Sequence, residues 1–309
     1  MATDPRIISL IPSATEIVAA LGLTDCLVGR SHECDYPAAV TRLPVCTAPN
    51  LDPQGSSQEI HDRVTALLQN ALSIYRVDLH QLEALQPTHI LTQAQCEVCA
   101  VSLAQVEDAV RQLTQSQPQL ISLQPATLDQ VWEDIDRVAR ALGVESQPTL
   151  QALQSRVNHC QWQTAALRER PTVACIEWTE PLMAAGNWVP QLVEFAGGQD
   201  LLGTIGQHSA WIDWSTLLEA NPEVIIFMPC GFDLEQTRQA AMALTQHPEW
   251  TSLQAVQAGR VYLTDGNQYF NRPGPRLVDS LEILAEILHP SQFCFGYEGG
   301  GWQRWSGVL

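Results

Sequence analysis

Short apolar runs of strand length recur along this chain and alternate with segments long enough to form helices. The runs with the strongest strand character are Ile7–Ile11, Leu27–Gly29, Ile90–Leu91, Leu120–Leu123, Val173–Ile176, Val224–Phe227 and Val261–Leu263. Strands that alternate with helices form largely parallel sheets, because two parallel strands need a crossover connection between them. The sequence therefore predicts an α/β fold.

The segment 125–170 contains no strand candidate. Its apolar residues recur at helical spacing over 127–143, and a second helical stretch follows at 150–167. A chain of 309 residues exceeds the size at which a single core stops growing, about 250 to 300 residues, so we expect two lobes. We predict an N-terminal α/β lobe over 1–124, connecting helices over 125–170, and a C-terminal α/β lobe over 171–309 that ends in a tail rich in glycine and aromatic residues.

Two local patterns support this division. Ser13–Glu16 has the capping-box sequence and predicts a helix from Ile17 to Leu21 directly after the first strand. The two halves also resemble each other, because Leu82–Leu91 and Leu218–Ile226 both have the order helix end, proline, strand. The lobes are therefore expected to share a structural unit.

The charge of the chain limits its partners. It has 16 basic and 34 acidic residues and a net charge of −18, which repels phosphate backbones, so we expect no nucleic-acid partner. No apolar run approaches the roughly 18 residues that a membrane span requires, so we expect no membrane insertion. The first residues show no charged leader or cleavage site, which favours a cytoplasmic protein, or a periplasmic one if a leader was removed.

Nine cysteines, an odd number, favour reduced thiols or metal ligands over a disulfide framework. Cys96 and Cys99 form a Cys-x-x-Cys pair shortly after the strand Ile90–Leu91, and ligands of open α/β sheets bind at the carboxyl ends of strands. Two thiolates at this spacing supply half of a tetrahedral metal site. A redox dithiol and a pair of buried thiols are the alternatives.

Further candidate metal ligands also follow predicted strands. Imidazole and thiolate groups suit zinc, and four thiolates suit zinc or an iron–sulfur cluster. A polar loop with one buried thiol is the alternative for the segment His32–Asp35. The complete set of candidate metal ligands is His32, Cys34, Cys46, Cys96, Cys99 and Cys230.

Polar and aromatic side chains at strand ends are candidate ligand contacts. Glu177 and Trp178 directly follow the strand Val173–Ile176, and the indole of Trp178 can stack on a planar ligand. Packing on the surface of the lobe is the alternative for this tryptophan. Arg272 can bind a carboxylate or phosphate through two parallel hydrogen bonds, or it can tie down its own loop.

Several motifs occur in an order that resembles the class III solute-binding proteins, the group with a helical backbone that includes cobalamin and ferric-siderophore binders. They are Ser9–Ile17, Val28–Ser31, Asp35–Pro37, Met183–Gly186, Val193–Gly198, Trp214–Pro222 and Asn271–Arg276. The resemblance covers roughly residues 6–289. It implies two Rossmann-like α/β lobes joined by a long helix that starts at Thr127, with a ligand cleft between the lobes.

The resemblance is strongest to the cobalamin-binding branch, but this chain departs from it. Where cobalamin binders commonly place aromatic rings, it has Glu33 and Gln93, whereas Tyr269 and Phe270 keep aromatic character at a matching position. The stretch Leu51–Val77 is longer than the corresponding loop of the transport proteins. The resemblance therefore assigns Glu33, Gln93, Tyr269 and Phe270, together with the strand-end residues above, to the ligand.

The leading hypothesis is a cytoplasmic binding protein that holds a corrinoid-like chelate, a metal or a metal cofactor, and that is not an enzyme. The sequence does not identify the cofactor, and a corrinoid, zinc and an iron–sulfur cluster are the candidates. One alternative is a thiol-dependent or metal-dependent enzyme that uses Cys96 or Cys99. The other is an exported component of cobalamin import whose leader is missing, which would have an ABC permease as its partner.

Overall fold

The computed structural model describes residues 5–69, 74–94 and 102–306. Contacts along the chain divide it into two units. The first unit comprises Met1–Gly55, Asp62–Pro125 and Asp129–Gln151. The second unit comprises Ser56–His61, Ala126–Leu128 and Ala152–Leu309.

The first unit is built on parallel strands. Its strands are β1 (Ile7–Ser9), β2 (Leu27–Arg30), β3 (Thr47–Pro49), β4 (Tyr75–Val77), β5 (His89–Gln93) and β6 (Gln119–Leu123). The helices along this part of the chain are α1 (Pro12–Ala20), α2 (Ser57–Gln69), α3 (Leu79–Leu85), α4 (Leu103–Gln112) and α5 (Leu128–Leu142). Strands β2, β1, β5 and β6 pair in that order, and every neighbouring pair is parallel. The predicted α/β fold is confirmed.

Strands β3 and β4 form a separate antiparallel ribbon that brackets the long stretch Leu51–Val77. Thr47 pairs with Val77 and Pro49 pairs with Tyr75. Between the two strands the chain forms helix α2, which begins at Ser57. The ribbon returns the chain to the first unit, so Tyr75 lies beside the segment that precedes the insertion.

The second unit contains a larger, mixed sheet. Its strands are β7 (Thr172–Thr179), β8 (Leu182–Ala184), β9 (Gln199–Asp200), β10 (Ala210–Trp211), β11 (Val224–Phe227), β12 (Val261–Thr264) and β13 (Trp302–Arg304). Its helices are α6 (Gln147–Ala165), α7 (Val189–Phe195), α8 (Trp214–Ala220), α9 (Leu234–Leu244), α10 (Gln254–Gln257) and α11 (Leu277–Leu288), of which α6 begins in the first unit.

The centre of this sheet is parallel and its edges are antiparallel. The order is β10, β8, β7, β11, β12, β13, and β9 also pairs with β7. The predicted strands β7, β11 and β12 are parallel to one another. The antiparallel strands were not predicted, because two or three residues are too few for a periodic signal. One of them, β13, belongs to the glycine-rich tail, which packs as an edge strand against β12.

The helices confirm most of the sequence pattern, with one correction. Helices α5 and α6 occupy the predicted helical stretches, and the apolar stripe of α5 is buried. The helix predicted from Ile17 instead begins at Pro12, and no side chain caps it. Proline is favoured at the first helical position because its φ is already helical and its missing N–H has no partner there anyway. Ser13 therefore lies inside the helix and does not precede it.

Candidate functional site

Residues that follow β2 form a polar turn at the carboxyl end of the first sheet. The Arg30 guanidinium holds this turn by donating hydrogen bonds to the carbonyl oxygens of Ser31, His32 and Cys34 at 2.9, 3.3 and 3.1 Å. One arginine therefore fixes the backbone of the turn that carries the candidate residues His32, Glu33 and Cys34.

Four side chains meet at this turn, and we call them the His32 group: His32, Glu33, Thr47 and Tyr75. The hydroxyl of Tyr75 donates to Oε1 of Glu33 at 3.1 Å. The rings of His32 and Tyr75 lie 5.3 Å apart, and Nε2 of His32 is 4.0 Å from Oε1 of Glu33. The side chains of His32 and Glu33 are 24% and 35% exposed, so a ligand can reach both of them.

Thr47 can hold one tautomer of His32. Its hydroxyl lies 3.0 Å from Oγ of Ser31 and 2.8 Å from Nδ1 of His32. When Thr47 donates its hydrogen to Ser31, Nδ1 of His32 carries the hydrogen of its contact with Thr47, and the lone pair is on Nε2. Burial, assisted by the charge of Arg30, lowers the pKa of His32. A neutral imidazole with Nδ1–H held and Nε2 available is the form that binds metals.

The predicted cysteine constellation gains no support from the described residues. Cys34 and Cys46 are both buried, and Sγ of Cys34 accepts a hydrogen bond from the Thr15 hydroxyl at 3.0 Å. Burial raises the pKa of Cys46 to about 12, so it is a thiol at neutral pH and a poor metal ligand. Among residues 5–69, 74–94 and 102–306, no three His, Cys, Asp or Glu side chains gather where they could hold a metal ion. Cys96 and Cys99 lie outside the described residues.

In the second unit, a β-bulge positions Glu177 at the end of β7. Ile176 pairs with Ala184 and Trp178 pairs with Met183, so Glu177 is the extra residue. A bulge redirects a side chain out of the regular alternation of the strand. The carboxylate of Glu177 accepts a hydrogen bond from the Ser209 hydroxyl at 2.7 Å.

Gly186 allows the close chain approach that brings Ser209 to Glu177. Its N–H donates to Oγ of Ser209 at 3.1 Å. A Cβ at this position would lie 2.5 Å from the carbonyl oxygen of Gln207 and 2.7 Å from the amide nitrogen of Ser209. Any larger residue would therefore displace this segment, which explains the glycine.

Beside Glu177, large side chains form a line that we call the aromatic row: Phe232, Trp178, Met183, Trp211 and His61. Trp178 pairs with Met183, and Met183 pairs with Trp211, so these three side chains lie on one face of the sheet. The rings of Trp178 and Phe232 lie 5.2 Å apart, and those of Trp211 and His61 lie 5.4 Å apart. Trp211 is 55% exposed. The row is a partly open surface suited to a flat ligand.

The remaining sequence-predicted residues fall in different environments. Phe270 is 0% exposed, and its carbonyl accepts a hydrogen bond from the Trp188 indole at 2.6 Å, so its ring is part of the core and offers no surface to a ligand. Arg272 is buried and donates to Oδ1 of Asn267 at 3.0 Å, which agrees with the alternative that it ties down its own loop. Gln93, Tyr269 and Cys230 follow or end strands, and of these Gln93 is buried.

The family model described as periplasmic binding protein matches residues 7–268. The match covers most of the chain and spans parts of both units. The chain belongs to the periplasmic binding protein family. The resemblance noted from the sequence is thereby confirmed, and no helix within the described ranges of this periplasmic binding protein is long and apolar enough to cross a membrane.

Similar periplasmic binding proteins include two curated relatives. An uncharacterized ABC transporter substrate-binding lipoprotein, YvrC of Bacillus subtilis, is 22% identical over 93% of this chain and 81% of its own length. The vitamin B12-binding protein of Vibrio cholerae is 24% identical over 93% of this chain and 90% of its own length. Among solved structures, the periplasmic heme-binding protein RhuT of Roseiflexus sp. RS-1, in its apo form, matches with a TM-score of 0.67. It is 22% identical and covers 94% of this chain and 100% of its own.

Sequence reasoning missed several residues of this periplasmic binding protein's candidate site. Tyr75 reaches the His32 group through the pairing of β3 with β4, and Trp211 joins the aromatic row through the pairing of β8 with β10. Both depend on antiparallel contacts between distant segments. The sequence signal that could have found Trp211 is its position shortly before the motif Trp214–Pro222, and its side chain is exposed.

Proposed function

We propose that this chain is the substrate-binding component of an ABC importer and that its substrate is a flat metal chelate of the tetrapyrrole class. The aromatic row carries the proposal. Its two tryptophans, Trp178 and Trp211, lie on one face because each pairs with Met183 of the strand between them, and such rings bind planar ligands by stacking. Glu33 and Gln93 stand where cobalamin binders commonly place aromatic rings, and the aromatic row offers rings at other positions, which supports the proposal.

The names of the similar proteins support this ligand class. One relative is named for vitamin B12 and one solved structure for heme, and both ligands are flat macrocycles with a central metal. The His32 group adds chemistry directed at a metal, because its neutral imidazole presents Nε2 with Nδ1–H held by Thr47. The alternative of a thiol-dependent or metal-dependent enzyme that uses Cys96 or Cys99 is disfavoured by the family, because the similar proteins are named for binding.

Binding can be tested by titrating the purified protein with cyanocobalamin and with haemin while tryptophan fluorescence and the ligand's absorption spectrum are recorded. Trp211→Ala is expected to raise the Kd about tenfold, because lost stacking worth about 1.4 kcal/mol is a factor of ten. The matched control is Trp162→Ala, which removes a tryptophan of the same unit that is 77% exposed and lies outside the row. Failure to bind either chelate, or an equal loss in the control, contradicts the proposal.

The same titration tests the His32 group. His32→Ala is expected to weaken haemin binding and to shift the Soret band, since it removes the available nitrogen. Thr47→Val should have a smaller effect of the same sign, because the imidazole remains but its tautomer is no longer held. An unchanged spectrum in both variants would remove His32 from the ligand contacts.

We also infer that the protein works outside the cytoplasmic membrane, in place of the cytoplasmic location expected from the sequence. The Bacillus subtilis relative is named a lipoprotein and the Roseiflexus structure is named periplasmic, which supports the exported alternative. Fractionation of the source cells, followed by immunodetection, is expected to find the protein outside the cytoplasm. Detection only with cytoplasmic markers would contradict export.

A further inference from the structure

The loop 265–276 follows β12 at the carboxyl edge of the second sheet, where ligands of open α/β folds bind. It carries Tyr269, whose ring contacts two other side chains. Cζ of Arg276 lies 4.6 Å from the centroid of this ring, and the ring of Tyr297 lies 6.0 Å away at 80°. A cation over the face and an aromatic edge therefore both hold Tyr269.

These two neighbours of Tyr269 are connected to each other by a chain of charged contacts. The Tyr297 hydroxyl donates to Oε2 of Glu282 at 2.9 Å, and the Arg156 guanidinium donates to both oxygens of Glu282 at 2.9 and 2.5 Å. Arg156 also donates to Oδ1 of Asp279 at 2.6 Å. Oδ2 of Asp279 lies 3.6 Å from Nε of Arg276.

The contacts form a closed network that leads from Tyr269 back to Tyr269. We call the members of this network other than Tyr269 the brace: Arg156, Asp279, Glu282, Arg276 and Tyr297. The network joins α6, α11, the loop 265–276 and the carboxyl-terminal segment. The side chains of Glu282 and Arg276 are only 9% and 8% exposed, so solvent screens their charges weakly. Hydrogen bonding to Glu282, and the charge of Asp279, raise the pKa of Arg156, which keeps the ion pairs intact at neutral pH.

Tyr297 is itself fixed by contacts of the carboxyl-terminal segment. The backbone N–H of Tyr297 and the indole N–H of Trp302 donate to Oε2 of Glu286 at 3.2 and 2.8 Å. A Cβ on Gly301 would lie 3.2 Å from Cβ of Tyr297 and 3.4 Å from the ring of Tyr269. This segment lies beyond residue 268, where the match to the family model ends.

We propose that Tyr297 and Arg156 are positioning residues that set ligand affinity by holding Tyr269 and its loop in the binding conformation. They act through Tyr269 and do not touch the ligand. This inference rests on the proposed function for the identity of the ligand. A loop held in its bound conformation before binding loses less conformational freedom on binding, which strengthens affinity.

The test compares variants that remove different parts of the brace. Tyr297→Leu removes the ring that contacts Tyr269 and is expected to raise the Kd for cyanocobalamin or haemin about fivefold. Tyr297→Phe keeps the ring and loses only the hydroxyl that binds Glu282, so an increase of about twofold is expected. The matched control is Phe295→Ala in the same segment, where the ring stacks on Phe293 with 5.7 Å between the ring centroids.

Amide hydrogen exchange of the ligand-free protein separates this inference from the proposed function. Tyr297→Leu and Arg156→Met are expected to accelerate exchange within 266–272, while Phe295→Ala is not. Urea midpoints of all variants identify any general loss of stability. If the wild type binds neither chelate, the proposed function fails and the exchange rates alone decide the positioning role. Unchanged exchange in Tyr297→Leu, or equal acceleration in the control, overturns the inference.

Discussion

Two helix–strand junctions, one in each unit, have nearly the same backbone but different stabilising contacts. The C-cap residue after helix α3 is Gln86, with φ 44° and ψ 61°, and the C-cap residue after helix α8 is Asn221, with φ 39° and ψ 61°. A proline follows each cap and leads into β5 or β11. The repeat seen in the sequence is therefore a structural repeat that includes a left-handed cap.

The difference between the junctions lies in the side chains. Asparagine tolerates the left-handed region better than glutamine, and Oδ1 of Asn221 also accepts a hydrogen bond from the Gln254 amide at 2.9 Å. The second unit is further tied by its carboxyl-terminal segment through Glu286. We conclude that the shared geometry is stabilised more strongly in the second unit, and three predictions test this comparison.

The largest expected effect on the free energy of unfolding is that of Glu286→Ala in the second unit. The Glu286 carboxylate accepts hydrogen bonds from the backbone N–H groups of Phe295, Gly296 and Tyr297, and from the Trp302 indole. Its loss leaves these donors without their partner and should lower the free energy of unfolding by about 3 kcal/mol. Urea unfolding followed by tryptophan fluorescence measures the change.

Glu107→Ala in the first unit is the control for Glu286→Ala, because Glu107 forms an exposed pair with Arg111 and should contribute little. Exchange rates should rise at residues 293–304 only in Glu286→Ala. A small effect of this variant on stability would mean that the second unit does not depend on its carboxyl-terminal segment.

The second prediction exchanges the caps. Asn221→Gln introduces strain and removes the hydrogen bond to Gln254, so it should destabilise by about 1 to 2 kcal/mol. Gln86→Asn relieves strain at the matching position but removes the exposed hydrogen bond that Nε2 of Gln86 donates to Oε1 of Gln115, so it should stabilise by about 0.5 kcal/mol at most. Thermal and urea unfolding of the two single variants and the double variant check the signs. Effects of the same sign would show that the two junctions are not equivalent.

The smallest of the three expected effects is a pH dependence of the stability that arises at the first junction. His89 begins β5 where the second junction has Val224, and burial lowers its pKa. Because the folded-state pKa lies below the unfolded value, the unfolded chain takes up a proton first as the pH falls. The contribution of His89 to the free energy of unfolding is fully present above about pH 6.5 and decreases as the pH falls below that value.

The matching experiment is His89→Val, which copies the residue of the second junction. The difference in unfolding free energy between variant and wild type should move in favour of the variant between about pH 7.5 and about pH 5.5. Comparing the two proteins at each pH cancels the contributions of other groups, such as Asp265, whose pKa is raised by burial. A difference that does not change with pH would exclude His89 as the titrating group.

Much of the fold was predictable because strand and helix periodicity are local properties of the sequence. The runs around Ile90 and Val224 predicted β5 and β11, and the stripe over 127–143 predicted α5. The start of α1 was wrong, because Pro12 at the first helical position outweighed the capping pattern at Ser13. A proline and a capping-box sequence can predict different starts for the same helix, and neither pattern alone shows which of them determines the structure.

The candidate site was less predictable, because strand pairing decides it. Glu177 and Trp178 follow from the rule that ligands lie at strand ends, but the aromatic row needs the register of β7, β8 and β10. Phe270 matched an aromatic position of the family, and yet its ring lies in the core. Its backbone carbonyl accepts a hydrogen bond from the Trp188 indole and its backbone N–H donates to Oγ of Ser280, and these two bonds direct the ring inward. The sequence predicts which strand or helix carries a residue, but it does not show which residues of other segments contact that residue.

The edge strand β13 has a consequence for the order in which the protein takes shape. Synthesis reaches Trp302–Arg304 only after every other strand of this sheet. The sheet and the contacts of Glu286 can therefore be completed only after residues 302–304 have been made. If the protein is exported, as proposed above, this late edge strand keeps the second unit incomplete until translation has passed it.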